Sequence, residues 1–190
     1  MKVKYSGKII QVIEEEKVIP NTSKTKTFEY ALRSPGVRAL IVKGNKLLIP
    51  KEYRYELEKY DYRLPGGKVF DTLNEYKLHY KENLQHYAEE AVKKECLEEV
   101  GINCKNPKFL QVSKAGATVV WDLYYFEISD FTQAEQHLEE GELINYDWYP
   151  LNKVQEMCLS GEISEDRSVA VILKYILNKK THEKNSYEKE

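Results

Sequence analysis

The chain is poor in the residues that build cross-linked or metal-stabilised folds. It has three cysteines in 190 residues, and no two of them form a CxxC pair. An odd number of widely spaced cysteines argues against a disulfide framework and a structural zinc site and indicates reduced thiols. The four histidines show no metal-ligand spacing. We therefore expect a cytoplasmic protein that depends on its hydrophobic core.

The sequence also lacks long apolar runs and a charge imbalance. No run of about 18 apolar residues is present, so we expect no membrane span. The N-terminal residues contain no apolar core of a signal peptide. The formal net charge is −2, which gives no electrostatic reason to expect nucleic-acid binding. A hydrophobic content of 42% fits one globular domain with at most a small appendage.

Two strand-like segments open the chain, at residues 8–13 and 26–32, with turn residues between them. A two-stranded hairpin alone is marginal in water, so it must dock on the main domain or on a partner subunit. We assign residues 1–35 to an N-terminal β-hairpin and residues 36–180 to the main domain. The polar residues 181–190 are predicted to form a disordered tail.

Strands and a few helices alternate in the main domain. Strands are predicted at residues 37–42, 46–50, 109–112, 119–128 and 144–149, and helices at 83–100, at 150–160 and after Ser164. The β–β connections are too short for parallel crossovers, which argues against a doubly wound sheet. The pattern favours an α+β or mixed α/β sandwich. Residues 71–86 have apolar side chains at helical spacing and are predicted to be an inserted helix or helical loop.

Three glutamates share one turn of the predicted helix at 83–100. Glu95, Glu98 and Glu99 have the spacing i, i+3 and i+4, which places them on one face. An isolated run of this kind is most simply a solvated face. In a cleft with an effective dielectric of about 20, two such charges ~6 Å apart repel by roughly 3 kcal/mol and require a cation. The apolar opposite face and the Gly66–Gly67 turn upstream favour a cleft, and carboxylate oxygens suit Mg²⁺ or Mn²⁺.

These residues resemble the Nudix hydrolase signature. Its second half resembles KECLEEVGI, residues 94–102, and its first half resembles LPGGKVF, residues 64–70. Lys94 replaces the arginine of the signature and gives up a planar bidentate fork, and Cys96 replaces an aliphatic residue.

The signature is interrupted in this chain. Gly67 and Lys94 are 27 positions apart, where the family pattern has 14, so 13 residues are inserted. The first glutamate of the signature falls on Leu73 when counted forward from Gly67, or on His86 when counted back from Lys94. Its candidate substitutes are Glu75, Glu82, Glu89 and Glu90.

The resemblance implies a Nudix-like α/β/α sandwich with a mixed sheet, preceded by the N-terminal β-hairpin. It also implies a Mg²⁺ or Mn²⁺ cofactor and metal ligands at Glu95, Glu98, Glu99 and the Gly66 carbonyl, with Glu98 serving catalysis as well.

The hairpin, the Tyr53–Arg54–Tyr55 element and the acidic residues 139–144 look like the ADP-ribose pyrophosphatase branch of this family. That branch implies a homodimer whose hairpins exchange between subunits. It assigns Glu142 as a further metal ligand and Glu140 as the general base, with Glu139 and Glu142 open as alternatives for the base. Substrate contacts are expected from Arg54, Gly67, Phe28 and Tyr30, although surface exposure of Arg54 and core packing of the two aromatics explain those residues equally well.

The expected reaction is metal-dependent hydrolysis of the pyrophosphate bond of a nucleoside diphosphate linked to another group. ADP-ribose or a nucleotide sugar is the expected substrate, and a nucleoside monophosphate is released. Ala117 stands about where this branch often has proline, which weakens the case for ADP-ribose itself. Two alternatives remain: a catalytically impaired Nudix-like nucleotide-binding or regulatory domain, and a housekeeping pyrophosphatase of nucleoside triphosphates.

Overall fold

The computed structural model describes the backbone of residues 1–187 and the side chains of residues 1–181. The strands are β1 (Lys2–Ser6), β2 (Ile10–Val18), β3 (Thr25–Arg33), β4 (Gly36–Lys43), β5 (Lys46–Arg54), β6 (Lys59–Tyr62), β7 (Ile102–Cys104), β8 (Lys108–Ser113), β9 (Val119–Val120), β10 (Leu123–Ile128), β11 (Phe131–Gln133) and β12 (Ile144–Pro150). The helices are α1 (Leu73–His79), α2 (Leu84–Val100), α3 (Leu151–Ser160) and α4 (Asp166–Tyr187).

The central sheet has the strand order β12-β5-β4-β10-β8, and β6 pairs with β5 at one side. Strands β4 and β10 run parallel, whereas β5 is antiparallel to its neighbours β4, β6 and β12. Strand β8 is antiparallel to β10. The predicted mixed sheet is therefore confirmed, and its middle strands β4 and β10 carry the most buried side chains.

Helices cover both faces of this sheet, and strand β4 shows why its sequence is apolar along most of its length. Leu40 and Val42 point into a core shared with α3 and α4. Ala39 and Ile41 point into a second core shared with α2. Successive strand residues face opposite sides, so a strand between two helical layers must be apolar at both sets of positions. The predicted α/β/α sandwich is confirmed.

The N-terminal segment forms a second sheet with the order β1-β2-β3-β9. The predicted hairpin is present as β2 and β3, with Ile10 opposite Arg33 at its base. Strand β1 was not predicted. The segment 119–128 was predicted as one strand, but it is broken at Trp121 and Asp122, so that β9 joins the N-terminal sheet and β10 the central sheet. At Trp121 and Asp122 the chain therefore passes directly from the N-terminal sheet into the central sheet.

The insertion contains a helix, as predicted. The Thr72 hydroxyl accepts a hydrogen bond from the Glu75 backbone N–H (3.1 Å) and caps α1. The Leu73 N–H donates to the Lys8 carbonyl (2.9 Å), and Lys77 donates to the Gln11 side chain (2.8 Å). The inserted helix therefore contacts the N-terminal sheet.

The end of the chain differs from the prediction in two respects. Ser164 does not cap α4, because its hydroxyl donates to the Asp61 carboxylate (2.9 Å) and the helix begins at Asp166. Helix α4 then continues to Tyr187, through most of the segment predicted as a disordered tail, while residues 188–190 lie outside the described part of the chain. None of the helices in the described residues is both long enough and apolar enough to cross a membrane.

Candidate functional site

A cavity of about 490 Å³ opens where the turn after β6, the C-terminal part of α2 and the loop before β12 meet. We call its carboxylates on α2 and on that loop the acidic set: Glu95, Glu98, Glu99, Glu139 and Glu142. We call its basic side chains the cationic set: Arg33, Arg38, Arg54, Arg63, Lys68 and Lys94. The cavity therefore offers both metal-binding oxygens and anion-binding nitrogens.

The Gly66–Gly67 turn lies directly against β4. The backbone N–H of Val37 donates to the Gly67 carbonyl (3.0 Å), and that of Ala39 donates to the Pro65 carbonyl (2.8 Å). Gly66 has φ +143°, and a Cβ at this position would lie 2.2 Å from the Val37 carbonyl oxygen. Only glycine fits such a conformation and such an approach.

Gly67 lies against a member of the acidic set. A Cβ on Gly67 would lie 2.2 Å from the Glu95 carboxylate oxygen Oε1. The missing side chain thus leaves the space that this carboxylate fills. The backbone at Gly67 therefore lies close to α2.

Glu99 is fixed by the same turn. The Gly66 N–H donates to Glu99 Oε2 at 2.8 Å. Burial raises the pKa of Glu99 well above its ordinary value, and the Glu95 charge adds to this effect. The Gly66 N–H and the Arg38 charge oppose it without cancelling it. The charged form of Glu99 is therefore disfavoured unless a cation enters the cavity.

Glu95 is half-buried beside it. Burial raises the pKa of Glu95 to about 7; Lys94 and Arg38 lower it, and the charges of Glu98 and Glu142 raise it further. A carboxylate in this state gains from any cation that enters the cavity. The prediction that these glutamates meet in a cleft and not on a solvated face is thus supported by the geometry.

Arg38 stabilises the Gly66–Gly67 turn by hydrogen bonds, and this residue was not predicted from the sequence. Its Nη1 donates to the carbonyl oxygens of Gly66 (3.0 Å) and Val37 (2.9 Å). Its Nε and Nη2 donate to the two oxygens of Glu165, each at 3.0 Å. Burial disfavours the charged form of Glu165, but the Arg38 charge and the hydrogen bonds from Arg38 and Ser168 together outweigh burial and hold the pKa of Glu165 below its ordinary value. One arginine amid the buried apolar residues of β4 was the available signal, since a buried charge needs a partner.

The structure brings most of the predicted site residues together. The cavity is lined by Glu95, Glu98, Glu99, Glu142, Gly66, Gly67 and Arg54. Arg54 donates to Glu52 and to Glu56, each at 2.6 Å, so its guanidinium already has two carboxylate partners.

Three predicted residues lie elsewhere. Glu140 is exposed and does not line the cavity, whereas Glu139 does. The Glu142 carboxylate accepts a hydrogen bond from the Glu139 N–H (2.9 Å), which sets the direction of this loop. Phe28 and Tyr30 lie side by side on β3, with ring centroids 6.4 Å apart, and do not line the cavity of their own chain. Their roles stay predictions.

The missing glutamate of the signature has no direct replacement among the predicted candidates. Leu73 is buried in the core and His86 is exposed. Within the described side chains, none of the four candidates lines the cavity: Glu75, Glu82, Glu89 and Glu90. The acidic residue near Lys94 is instead Asp71, which lines the cavity and contributes, after Glu98 and Glu95, to raising the pKa of Lys94.

The acidic set has the donor chemistry of a divalent cation site. Its oxygens are the ligands that Mg²⁺ and Mn²⁺ prefer, and the raised pKa values of Glu95 and Glu99 show that their charged forms are unfavourable here unless a cation is present. Within residues 1–181, no three carboxylate, imidazole or thiol groups already converge as a complete ligand set. The residues thus fit the cation, although they are not already arranged around one.

Comparison with known proteins agrees with this geometry. The family model of the NUDIX domain matches residues 32–170. The chain belongs to the Nudix family. A crystal structure described as an ADP compounds hydrolase is similar to this Nudix protein, with a TM-score of 0.72 and 16% sequence identity over 96% of this chain and 92% of that chain. At this identity the likeness shows the fold. The search of curated protein sequences found no match.

We expect the metal-free Nudix protein to lose stability as the pH rises from about 5 to about 7, because the folded Glu95 has a pKa of about 7 against 4.5 for an ordinary glutamate. Between these values the folded state holds more protons than the unfolded state, so the free energy of unfolding falls with rising pH. Urea denaturation in the presence of a chelator, at several pH values, measures this slope.

The matched variants are Glu95→Gln and Glu89→Gln. Glutamine at position 95 removes one of the two glutamates with raised pKa values and should reduce the slope. Glu89 lies on the same helix, pairs with Lys93 (3.3 Å) and does not line the cavity, so its substitution should leave the slope unchanged. An equal slope in the Glu95→Gln protein and the unsubstituted protein would contradict the account of this site.

Proposed function

We propose that this protein hydrolyses the pyrophosphate bond of a nucleoside diphosphate linked to another group, with ADP-ribose or a nucleotide sugar as substrate and a nucleoside monophosphate as product. The observation that carries the proposal is the group of three glutamates on one turn of α2. Two of them, Glu95 and Glu99, lie against the Gly66–Gly67 turn, and burial raises the pKa of both. The family membership and the name of the similar ADP compounds hydrolase support it.

In this proposal, Glu95, Glu98, Glu99, Glu142 and the Gly66 carbonyl would hold Mg²⁺ or Mn²⁺. When bound, such a cation supplies charge neutralisation at the pyrophosphate and polarisation of its phosphorus–oxygen bonds. The protein contributes the positions of these oxygens. Gly66 fixes Glu99 through its N–H, Gly67 leaves room for Glu95, and Arg38 holds the Gly66 carbonyl.

A general base must lie within hydrogen-bond reach of the attacking water. The proposed base is Glu140, with Glu139 and Glu142 as the neighbouring alternatives. In this structure Glu139 and Glu142 line the cavity, and Glu140 is one residue away on the same exposed loop. Activity of the Glu140→Gln and Glu139→Gln proteins, compared at saturating substrate, separates these residues, because loss of the base lowers kcat.

The size and charge of the cavity support a substrate of this class. A volume of about 490 Å³ is within the usual range for small-molecule sites. The cationic set supplies nitrogens for phosphate oxygens, and the acidic set supplies the oxygens for a cation. A nucleoside diphosphate derivative with its divalent cation satisfies both sets at once.

We expect release of a nucleoside monophosphate from ADP-ribose or a nucleotide sugar in a panel of such compounds, measured by chromatography with Mg²⁺ and with a chelator. The reaction should stop with the chelator. Glu98→Gln should lower kcat by roughly 100-fold or more, since one group that stabilises developing charge contributes that much. Glu89→Gln, on the same helix but outside the cavity, should retain full activity.

Two other outcomes of the panel would overturn this proposal. Nucleotide binding without turnover, unchanged by Glu98→Gln, would favour the impaired binding or regulatory domain. That alternative is motivated by the missing signature glutamate, whose predicted substitutes all lie outside the cavity. Preferential hydrolysis of nucleoside triphosphates would instead favour the housekeeping pyrophosphatase.

We further propose that the protein is a homodimer in which the N-terminal sheet of one subunit contacts the other. Phe28, 38% exposed, and Tyr30 form an aromatic pair on β3 that does not line the cavity of its own chain, so only a partner subunit could use it at a substrate site. Sedimentation equilibrium at micromolar concentration should give twice the mass of 22.3 kDa, and Phe28→Ser should shift the population towards monomer. A monomer in the unsubstituted protein would contradict the dimer.

A further inference from the structure

A second cavity, of about 670 Å³, lies at the other end of the central sheet from the acidic set. It opens where the parallel strands β4 and β10 end, next to Gly44 and Ser129. The cavity of the acidic set instead includes Gly36, at the start of β4. Ligand sites of open sheets with parallel strands commonly lie outside the carboxyl ends of those strands. The second cavity therefore has the place and the volume of a small-molecule site.

Two lysines that line the second cavity, Lys43 and Lys179, have no carboxylate partner among the side chains of residues 1–181. Lys179 is half-buried, and its Nζ donates to the Gly44 carbonyl (2.7 Å), which holds it against the turn after β4. The Nζ of Lys43 lies 6.0 Å from the centre of the Trp148 ring. An ammonium group has three donors, so the hydrogen bond to Gly44 leaves Lys179 two more. Both lysines can therefore donate to one anion in the cavity.

The carboxylate among the described lining residues, Glu127, already has partners of its own. Its Oε1 accepts a hydrogen bond from the Tyr175 hydroxyl (3.1 Å), and its Oε2 accepts one from Lys108 (3.3 Å). Burial raises the pKa of Tyr175, and the Glu127 charge raises it further, so the hydroxyl remains a donor. The charges of Lys43 and Lys179 are thus not balanced by the described carboxylate of the cavity.

Aromatic rings form the apolar part of the second cavity. Trp148 and Phe131 are half-buried and stack with their ring centroids 6.0 Å apart. Tyr175 lines the cavity with them, and Ser129 and Gln133 add exposed polar side chains. Lysines on a plain surface are simply hydrated, but flat apolar rings beside cations suit a ligand that has both a planar ring and a negative group.

We propose that the second cavity binds a nucleoside monophosphate, with its phosphate on Lys43 and Lys179 and its base against the aromatic rings. The phosphate accepts hydrogen bonds from both ammonium groups and balances their charge. The base buries its planar surface against the rings, and its polar edge faces Ser129 and Gln133. Binding here needs neither the acidic set nor hydrolysis, so it does not rest on the proposed function.

Tryptophan fluorescence reports on the second cavity separately. The chain has two tryptophans: Trp121 lines the cavity of the acidic set, and Trp148 lines the second cavity. In a Trp121→Phe protein with a chelator, Trp148 reports alone, and its emission should change and saturate as AMP is added. No saturable change up to millimolar AMP would overturn the proposal.

In the Trp121→Phe protein, Lys43→Gln and Lys179→Gln should each weaken AMP binding by roughly tenfold or more, as expected for a lost hydrogen bond to a charged group. Lys153→Gln is the matched control, because this exposed lysine pairs with Glu156 on α3 (3.6 Å) and does not line the cavity. It should change the affinity by less than about threefold. Equal losses in all three variants would reduce the effect to net charge and contradict the site.

Arg54→Gln separates the two cavities, because it removes a cation from the cavity of the acidic set. It should leave the Trp148 titration unchanged. A loss as large as that of the two lysine variants would place the bound AMP in the cavity of the acidic set and overturn the proposal.

Inorganic phosphate and adenosine test the class of ligand. Each should bind at least about tenfold more weakly than AMP, since phosphate lacks the base and adenosine lacks the charged group. Inorganic phosphate that bound as tightly as AMP would show that the rings contribute nothing, and adenosine that bound as tightly would show the same of the lysines. Either result would overturn the assignment to a nucleoside monophosphate.

Discussion

The burial of like charges on one helical turn is the constraint on which the rest of this structure depends. Glu95 and Glu99 are enclosed where a charged carboxylate is costly, and their pKa values rise accordingly. The fold accommodates them because the Gly66 N–H donates a hydrogen bond to Glu99 and the absence of a side chain on Gly67 leaves space for Glu95. A turn that only glycines can form is therefore inseparable from the carboxylates on the helix.

The central sheet and its helices explain how that turn is held. Strand β4 lies between the two helical layers and forms backbone hydrogen bonds with the turn. Its residue Arg38 also donates a hydrogen bond to the Gly66 carbonyl. Arg38 in turn pairs with Glu165 just before α4, so the layer on the opposite face of the sheet supports the turn. The ion pair is buried, and its removal from either side would leave an uncompensated charge. The two helical layers thus cooperate in placing one carbonyl and one N–H of Gly66.

Periodicity and turn chemistry were sufficient to predict the parts of the site that are close together in sequence. The spacing of the glutamates predicted that they share one face of α2. The predicted end of that helix at residue 100 agrees with the structure, where Gly101 follows with φ +60°. These features depend on local geometry, which a sequence pattern records directly.

The remaining parts depend on tertiary contacts, which periodicity does not record. Arg38 and Glu165 are 127 residues apart, and no sequence pattern around either residue indicates that the two form a pair. The segment 119–128 was predicted as one strand. In the structure the chain passes from one sheet to the other at Trp121, which lines the cavity. In the acidic loop, the hydrogen bond from Glu139 to Glu142 decides which carboxylates face the cavity, so Glu140 and Glu139 could not be distinguished by position alone.

Binding of Mn²⁺, followed by the electron paramagnetic resonance signal of the free ion, tests most directly whether these buried carboxylates form a cation site. The unsubstituted protein should bind Mn²⁺, and Glu99→Gln should weaken binding by at least about tenfold, since even residues that only orient metal ligands contribute that much. Glu89→Gln should bind as the unsubstituted protein does. Equal affinities in all three proteins, or no binding in any, would contradict the account.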